Sequence, residues 1–252
     1  MVAGRCGAGV KRDNENEAGE GETLAGRIFI ISAPSGSGKS TLVNQLRSMV
    51  TNLEFSVSYT TRQPRGSEQD GREYRFTTRE KFEQMVEKNA FLEHANVFGN
   101  YYGTACSSVE HARDSGRDLI LDIDIQGADQ VMERVPEAVS IFILPPSPAV
   151  LEKRLRNRSA SEGDVLESVI EGRLAKARLE LEQLWKYRYA LVNDVLEDAV
   201  AELQAIVMAE RGMGTAQDVR LAKSCRTVNP SERLKQSLKS FGIQLASMPR
   251  AD

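Results

Sequence analysis

The segment "SAPSGSGKST" at residues 32–41 is the feature that most constrains the fold of this chain. Four residues separate Ala33 from Gly38, and Lys39 and Ser40 follow directly, which matches the P-loop pattern with alanine in place of its first glycine. The apolar run "RIFII" precedes the segment, and a helical stretch at residues 40–50 follows the glycines. Because a P-loop joins a buried strand to the start of a helix, this context distinguishes it from an ordinary glycine-serine turn.

The chemistry of the loop residues suits the phosphates of a nucleoside triphosphate. Glycines let successive backbone N–H groups turn toward phosphate oxygens, and the following helix adds its positive end. Lys39 supplies a mobile positive charge, and Ser40 offers a hydroxyl to Mg²⁺. The predicted triphosphate-binding segment is Ala33, Pro34, Ser35, Gly36, Ser37, Gly38, Lys39, Ser40 and Thr41.

Continuous apolar segments alternate with helical patterns along the chain. Strands are indicated by "RIFIIS", "DLILDIDI", "VSIFILPP" and "YALVN", and helices by the patterns at about 126–134, 147–158, 165–186 and 196–210. Apolar runs without polar alternation are typical of parallel strands that helices cover on both faces. We therefore predict an α/β fold with a parallel, P-loop NTPase-type sheet core flanked by helices.

The stretch between Phe55 and Phe98 interrupts that alternation. "EFSVSYTT" and "EYRFTT" indicate strands, and Thr77 with Glu80 forms a capping-box pattern that predicts the start of the helix "TREKFEQMVEKN". We interpret this stretch as an inserted, strand-rich subdomain.

The two ends of the chain differ from its middle. Residues 1–25 are rich in Gly, Glu and Asn and have few large apolar side chains, which predicts a disordered tail. Residues 212–252 are mildly basic and less regular, and they fit either a short appended helix or a flexible tail.

Composition limits the classes of partner. A formal net charge of -3 gives no reason to expect nucleic acid or an acidic membrane surface. No apolar run reaches the ~20 residues of a membrane span, and the amino terminus has no secretion pattern. The three cysteines have no metal-ligand spacing. We expect a cytoplasmic protein, with homo-oligomers compatible with the sequence.

Several side chains within and beside the insert have phosphate-binding chemistry. Arg62 and Arg65 are close enough in a turn to hold one phosphate from two sides, and Tyr74 can add a neutral donor. Glu93 stands in an otherwise apolar strand, and Tyr102 follows in a glycine-flanked turn. Taken singly, these charges fit equally well with pairing to one another or to solvent, and the tyrosines with core positions.

Two acidic residues, Asp122 and Asp124, end the apolar strand in "LILDIDIQG". In an open α/β sheet this end faces the ligand crevice, where a carboxylate can hold Mg²⁺ through water. The alternative is that these acids cap a neighbouring helix; the metal that a P-loop requires favours the first interpretation.

The motifs "SAPSGSGKST", "SYTTRQPR", "GNYYGT", "LDIDIQG" and "LPPS" occur in the order and spacing of guanylate kinases. The sequence resembles that family, its bacterial members most, over about residues 26–211. The resemblance implies that ATP, with Mg²⁺, phosphorylates GMP to GDP, and dGMP as well because no motif clearly excludes it. No general base is needed, since the acceptor phosphate is already charged, and closure of mobile parts would exclude water.

The resemblance also implies an organisation of the chain. It consists of the tail 1–25, a kinase domain at 26–211 with core segments 26–54, 104–150 and 186–211, a GMP-binding insert at about 55–103, a helical lid at about 151–185, and an extension of unknown role at 212–252.

Roles on the acceptor side follow from the resemblance. The GMP phosphate would be held by Arg62, Arg65, Tyr74 and Tyr102. Guanine would be read by Ser58 and Glu93, with help from Thr104. The resemblance also adds Asp122 and Asp124 to the GMP-binding residues. The chemistry agrees, because a carboxylate accepts from both guanine donors and a hydroxyl donates to its carbonyl. Adenine would leave unpaired polar groups, and such a mismatch can lower kcat/KM by ~10⁴-fold.

Roles on the donor side follow in the same way. The catalytic charges would be Lys39, Arg154, Arg158 and Arg173; Asn193 would lie near the adenine of ATP; Ser40 and Asp122 would hold the metal. Arg154 and Arg158 are four residues apart on one helix face, which by itself is usual for a solvated basic surface. The lid departs from the family pattern, since it is a few residues longer and has Ser159 where glycine is usual. Gly66 likewise stands one position earlier than the family's glycine.

Three other classes of protein fit the sequence less well. An inactive guanylate-kinase-like module that binds proteins would typically have a broken P-loop, whereas Lys39 and Ser40 are both present. A P-loop switch protein would need no monophosphate-binding insert. A kinase for another monophosphate or a sugar phosphate would not need Ser58 and Glu93.

Overall fold

A computed structural model describes residues 26–97, 99–162 and 167–244, without the side chains of 158–162. The strands are β1 (Ile28–Ser32), β2 (Leu53–Phe55), β3 (Tyr59–Thr60), β4 (Arg75–Phe76), β5 (Phe91–Val97), β6 (Asn100–Ala105), β7 (Asp118–Asp122), β8 (Val139–Leu144) and β9 (Tyr189–Val192). The helices are α1 (Lys39–Met49), α2 (Arg79–Glu87), α3 (Cys106–Asp114), α4 (Ile125–Arg134), α5 (Pro148–Glu162), α6 (Glu167–Leu181), α7 (Leu196–Glu210), α8 (Ala216–Ser224) and α9 (Glu232–Ser240). The predicted disordered tail lies outside the described residues.

Five strands form a parallel sheet in the order β2–β7–β1–β8–β9. Every residue of β1 and β8 is buried, as expected for apolar strands covered on both faces. The remaining four strands form a smaller sheet in the order β4–β3–β6–β5. The predicted α/β class with a parallel core is therefore confirmed. None of the helices in the described ranges is long and apolar enough to cross a membrane.

The chain divides into two compact units. The described part of the first consists of residues 26–29, Asn52–Leu121 and Gln126–Ala138, and it includes the whole of the smaller sheet. The second consists of Ile30–Thr51, Asp122–Ile125 and the chain from Val139 onward. The domain boundaries drawn from the sequence stay predictions.

In the first unit, α2 covers one face of the smaller sheet with aromatic side chains. Phe82 of α2 stacks on Phe91 with ring centroids 4.5 Å apart and on Tyr101 at 5.4 Å. Tyr59 meets Phe91 edge to face at 5.8 Å. Such pairs contribute about 0.5–1.5 kcal/mol each beyond their buried area, so this face is committed to packing.

The capping box predicted at Thr77 and Glu80 is wrong by one residue. Helix α2 starts at Arg79, and the cap is Thr78, whose hydroxyl accepts from the Lys81 N–H at 3.3 Å. Thr77 instead donates its N–H to the Thr60 carbonyl at 2.9 Å. Two adjacent threonines carry the same local signal, and the backbone bond to Thr60 decides which of them caps the helix.

In the second unit, α1 and α7 pack together beside β8 and β9. Their shared interior contains Leu42 and Leu46 of α1 and Leu203 and Ile206 of α7, all fully buried. The helix predicted at 165–186 is wrong in its end, because α6 stops at Leu181 and a separate 3₁₀ turn leads into β9. In the described part of the extension, α8 and α9 are regular helices, so the flexible-tail alternative does not hold for residues 216–240.

Candidate functional site

The P-loop of the second unit has a backbone conformation that requires its glycines. Gly36 and Gly38 have φ angles of 88° and 87°, in the left-handed region. A Cβ on Gly38 would lie 2.3 Å from the Asn193 side-chain nitrogen, and one on Gly36 would press on Leu151. Gly38 is also the cap of α1, so no side chain covers the first N–H groups of that helix. These groups are available to an anion.

Lys39, the first residue of α1, is held at the end of β7. Its Nζ lies 2.6 Å from an Asp122 carboxylate oxygen and donates to the Ile123 carbonyl at 2.9 Å. Both side chains are largely buried, at 19% and 16% exposure. The sequence predicts the two residues separately, as a phosphate-binding cation and a strand-end acid. The structure brings them together within the second unit.

The oxygen donors near Lys39 suit a magnesium ion that arrives with a nucleotide. Ser40 is exposed in the first turn of α1, and Asp122 lies beside Lys39. No group of three or more metal-binding side chains occurs among the described residues. A hydroxyl with a single carboxylate leaves most ligand positions to water and phosphate, as Mg²⁺ prefers. The residues present therefore fit Mg²⁺.

Arg154 and Asn193 hold the backbone of the P-loop. The Asn193 side chain donates to the Ser37 carbonyl at 2.7 Å, and Arg154 donates to the same carbonyl at 3.3 Å. Arg154 also donates to the Asn193 carbonyl at 3.0 Å. Desolvation lowers the pKa of Arg154. The resemblance places both residues near ATP, but their contact with the loop is not predictable from the sequence, because residues 37, 154 and 193 are remote along the chain.

The other two predicted lid arginines differ in what the structure describes. Arg173 is partly exposed on α6, while the Arg158 side chain lies outside the described residues. Arg156, which was not predicted from the sequence, joins helices α5 and α6 by donating to Glu152 and Glu167, each at 2.8 Å. The hydrogen bonds to these two acids raise the pKa of Arg156. Its four-residue spacing from Glu152 is a signal that the sequence did offer.

A second residue missed from the sequence is Glu180, on α6. It pairs with Lys176 at 3.5 Å. Burial raises the pKa of Glu180, and the charge of Asp124 acts in the same direction, while Lys176 and Lys39 act against it. Glu180 therefore lies within the electric field of the charges around the P-loop. Its spacing from Lys176 suggests only a surface pair.

In the first unit, a β-bulge determines which side chains share one face of the smaller sheet. Glu93 stands opposite Thr104, and Ala95 opposite Tyr102, so these side chains share a face. The register shifts between Phe91 and Glu93. Without that bulge, residues 91 and 93 would point the same way. The bulge sends Phe91 to the packed face and leaves Glu93 on what we call the polar face: Glu93, Tyr102 and Thr104.

Two of the three residues predicted from the sequence to read the base, Glu93 and Thr104, lie on this polar face. Glu93 is buried at 2% exposure, and Thr104 is fully buried. Within the part of the chain that the structure describes, the Thr104 hydroxyl has no hydrogen-bond partner. Ser58, also buried, directly precedes β3. An orphaned buried hydroxyl opposite a buried carboxylate suits a polar ligand.

Arg62 occupies the centre of a cluster of predicted phosphate-binding residues. It donates to the Tyr102 hydroxyl at 3.2 Å and to Glu68 at 2.9 Å, and its guanidinium lies 5.2 Å from the Tyr74 ring centre. Tyr102 lies in strand β6, not in the predicted turn. Burial opposes the charge on Glu68, but hydrogen bonds from Arg62 and the Arg65 N–H outweigh it and lower its pKa. Glu68 thus holds Arg62 in place, a role not found from the sequence.

The two predicted aspartates differ from the rest of the predicted GMP-binding set. Asp122 and Asp124 belong to the second unit, whereas the other members of the set lie in the first unit. Ser58, Arg62, Arg65, Tyr74, Glu93, Tyr102 and Thr104 are those other members.

Comparison with known proteins gives consistent matches. A sequence profile described as guanylate kinase matches residues 25–210. A guanylate kinase of Koribacter versatilis is 53% identical over 226 residues, covering 86% of this chain and 97% of that protein. One from Escherichia coli K12 is 46% identical over 188 residues, covering 74% and 89%. The crystal structure of guanylate kinase from Anaplasma phagocytophilum matches with a TM-score of 0.62 and 35% identity, covering 74% of this chain and 87% of that one.

Proposed function

Since the chain belongs to the guanylate kinase family, we propose that it transfers the γ-phosphate of ATP to GMP, and also to dGMP, giving ADP and the nucleoside diphosphate. The observation that carries the proposal is the presence in one chain of an intact P-loop and a buried acid facing an orphaned hydroxyl. The P-loop suits a triphosphate, and the pair Glu93 and Thr104 suits the donor-rich edge of guanine. An inactive binding module would need neither Lys39 nor the open cap of α1.

On the donor side, the loop backbone and Lys39 bind the triphosphate of ATP. The free N–H groups at the start of α1 donate to phosphate oxygens, and the helix end adds a partial positive charge. Lys39 exchanges Asp122 for a phosphate oxygen over a short distance, because Asp122 already holds its ammonium at this end of β7. Arg154 and Asn193 keep the Ser37 carbonyl turned away from the phosphates.

On the acceptor side, the polar face reads the base. The Glu93 carboxylate accepts from the guanine ring N–H and exocyclic amine, and the hydroxyls of Ser58 and Thr104 serve its remaining polar atoms. Adenine presents a ring-nitrogen lone pair to the carboxylate, so it is rejected by repulsion and by unpaired buried groups. Arg62, Arg65, Tyr74 and Tyr102 bind the phosphate of the monophosphate by charge and hydroxyl donation.

The transfer step requires positioning and charge neutralisation, not a base. The attacking oxygen of GMP is already ionised near neutral pH. Lys39 and the lid arginines Arg154, Arg158 and Arg173 neutralise negative charge on the transferred group. Ser40 and Asp122 would hold Mg²⁺, which would supply positive charge to the phosphates of ATP.

The proposal is tested by measuring ADP production from ATP and Mg²⁺ in a coupled assay. GMP, dGMP, AMP, UMP and dTMP are supplied in turn, with one reaction lacking an acceptor. We expect rapid turnover with GMP and dGMP and only background with the others. Binding of GMP without turnover would instead indicate a module that has lost catalysis, and turnover with AMP alone would remove Glu93 from base reading.

A further inference from the structure

The extension after α7 contains two helices, α8 and α9, that supply none of the side chains named in the proposed reaction. Its described part follows Arg211 and lies beyond the family match, which ends at residue 210. Helix α9 has an apolar side formed by Leu234 and Leu238, both buried. These leucines anchor α9 in the second unit, so its polar side chains have fixed partners.

One part of the extension covers the start of the edge strand β9. Residue 226 forms an antiparallel bridge with Tyr189, and the Ala190 N–H donates to the Cys225 carbonyl at 2.8 Å. The Arg226 guanidinium lies 4.6 Å from the Tyr189 ring centre and 3.7 Å from Glu210 of α7. These contacts cover the edge of the sheet at β9, which stabilises the fold.

Helix α9 holds the other end of β9 and the neighbouring end of β8. Arg233 donates to the Val192 carbonyl at 2.7 Å and to Glu202 of α7 at 2.9 Å. Ser237, buried at 3% exposure, donates to the Pro145 carbonyl at 2.9 Å. Ligands of open α/β sheets bind at these carboxyl ends of the strands.

A continuous set of hydrogen bonds leads from α9 to the P-loop. Val192 directly precedes Asn193, and Pro145 directly follows Leu144. The Asn193 N–H donates to the Leu144 carbonyl at 2.7 Å, so α9 holds the carbonyls on either side of that bond. The Asn193 side chain then donates to the Ser37 carbonyl of the P-loop at 2.7 Å.

We propose that α9 is a positioning element of the ATP site, acting through Arg233 and Ser237. These residues fix the hydrogen-bonded ends of β8 and β9. They thereby keep the Asn193 side chain in the position from which it donates to the Ser37 carbonyl of the P-loop. Neither residue touches ATP, and both act on its binding through Asn193. This inference rests on the proposed function, because it assigns ATP to the P-loop.

The test compares Arg233→Met with Arg226→Met in the full chain. Both substitutions keep an aliphatic side chain and remove an ion pair between the extension and α7, but only Arg233 contacts the ATP end of β9. We expect Arg233→Met to raise KM for ATP by about 3- to 10-fold, a usual size for coupling through hydrogen-bonded neighbours, with KM for GMP unchanged. Arg226→Met is expected to lower the Tm without changing either KM.

Two further variants sharpen the result. Arg233→Lys, which keeps a charged donor, is expected to recover part of the affinity for ATP, and Ser237→Ala to raise KM for ATP by a smaller factor. If Arg233→Met lowers the Tm but leaves KM for ATP unchanged, or raises both KM values equally, α9 is only structural and the inference is overturned. If Arg233→Met does not fold, an unchanged KM for ATP in Ser237→Ala and Arg233→Lys overturns it instead. Turnover of the wild-type protein with GMP, measured first, separates these outcomes from failure of the proposed function.

Discussion

At the scale of single residues, the chemistry of the chain is concentrated in side chains whose neighbours restrict them. Lys39 is paired with Asp122, and Arg62 is held by Glu68 and Tyr102. A cationic side chain that is already ordered by an ion pair loses less conformational entropy when a phosphate replaces its partner. Buried Glu93, by contrast, stands opposite Thr104 on the neighbouring strand.

Replacing Lys39 with alanine tests the charge at the P-loop. We expect kcat to fall by about 10²- to 10³-fold, because a preorganised positive charge beside the transferred group is lost. Circular dichroism should stay close to wild type, because Lys39 belongs to no apolar core, while the Tm should fall because Asp122 loses its ion-pair partner. Lys39→Arg serves as the control that keeps the charge. Wild-type turnover of the alanine variant would contradict the assignment of the P-loop.

Replacing Glu93 with glutamine tests base reading. The glutamine amide turns an NH₂ donor toward the donors of guanine. We therefore expect KM for GMP to rise about 10²-fold, because a hydrogen bond accepted by a buried carboxylate is lost. KM for ATP should not change. The ratio of turnover with GMP to turnover with AMP is the decisive measurement, and an unaltered ratio would assign guanine recognition to other residues.

At the scale of elements, the bulge in β5 is the feature that creates the polar face, and α4 braces it. Arg134 donates to the Leu92 carbonyl at 2.6 Å and to the Phe91 carbonyl at 3.2 Å. Gln130 accepts from the His94 N–H at 3.2 Å and donates to the His94 carbonyl at 2.8 Å. Bulged backbone has unpaired ladder groups, and these side chains bond to the backbone on both sides of Glu93.

Arg134→Met is therefore expected to loosen Glu93 without touching it. KM for GMP should rise about 3- to 10-fold while KM for ATP stays constant, because only the backbone around the bulge loses its support. Arg113→Met is the matched control, since within the described ranges the Arg113 side chain makes only an exposed ion pair, with Glu137 at 3.6 Å, which contributes little to stability. Equal behaviour of the two variants would show that the bulge needs no brace.

At the scale of the whole molecule, each compact unit contains one of the two proposed binding regions. The P-loop and helices α5 and α6 belong to the second unit, and the polar face with the Arg62 cluster belongs to the first. The extension belongs to the second unit as well, and Cys225 marks its junction with β9. Burial leaves this thiol at 4% exposure and raises its pKa to about 12.

The reactivity of Cys225 reports whether the extension stays docked. The thiolate is the reactive form, and a pKa raised above its unfolded value means that the thiol stays protonated and inert at pH 8 in the folded protein. We expect iodoacetamide to label Cys225 only in denaturant, with peptide mass spectrometry identifying the site. Rapid labelling in native buffer would mean that the segment opens readily, and slow labelling in denaturant would contradict the burial argument.

The amino-acid sequence alone was sufficient to predict several elements and motifs. The P-loop, the α/β class and the residue types of both binding regions follow from local patterns: glycine spacing, continuous apolar strands and charged side chains in apolar surroundings. Each of these signals depends only on neighbours within a few residues along the chain. They can therefore be recognised without knowledge of the fold.

Only the tertiary structure decided the partners of those residues. The choice of Thr78 over Thr77 as a cap, the hold of Glu68 on Arg62, and the contact of Asn193 with Ser37 each join residues through backbone geometry that local spacing does not encode. The bulge at Glu93 depends on pairing with β6, and the contact of α9 with Val192 depends on where the sheet ends. Hydrogen bonds and burial are set by distance in space, and residues far apart along the chain become neighbours only when the chain folds.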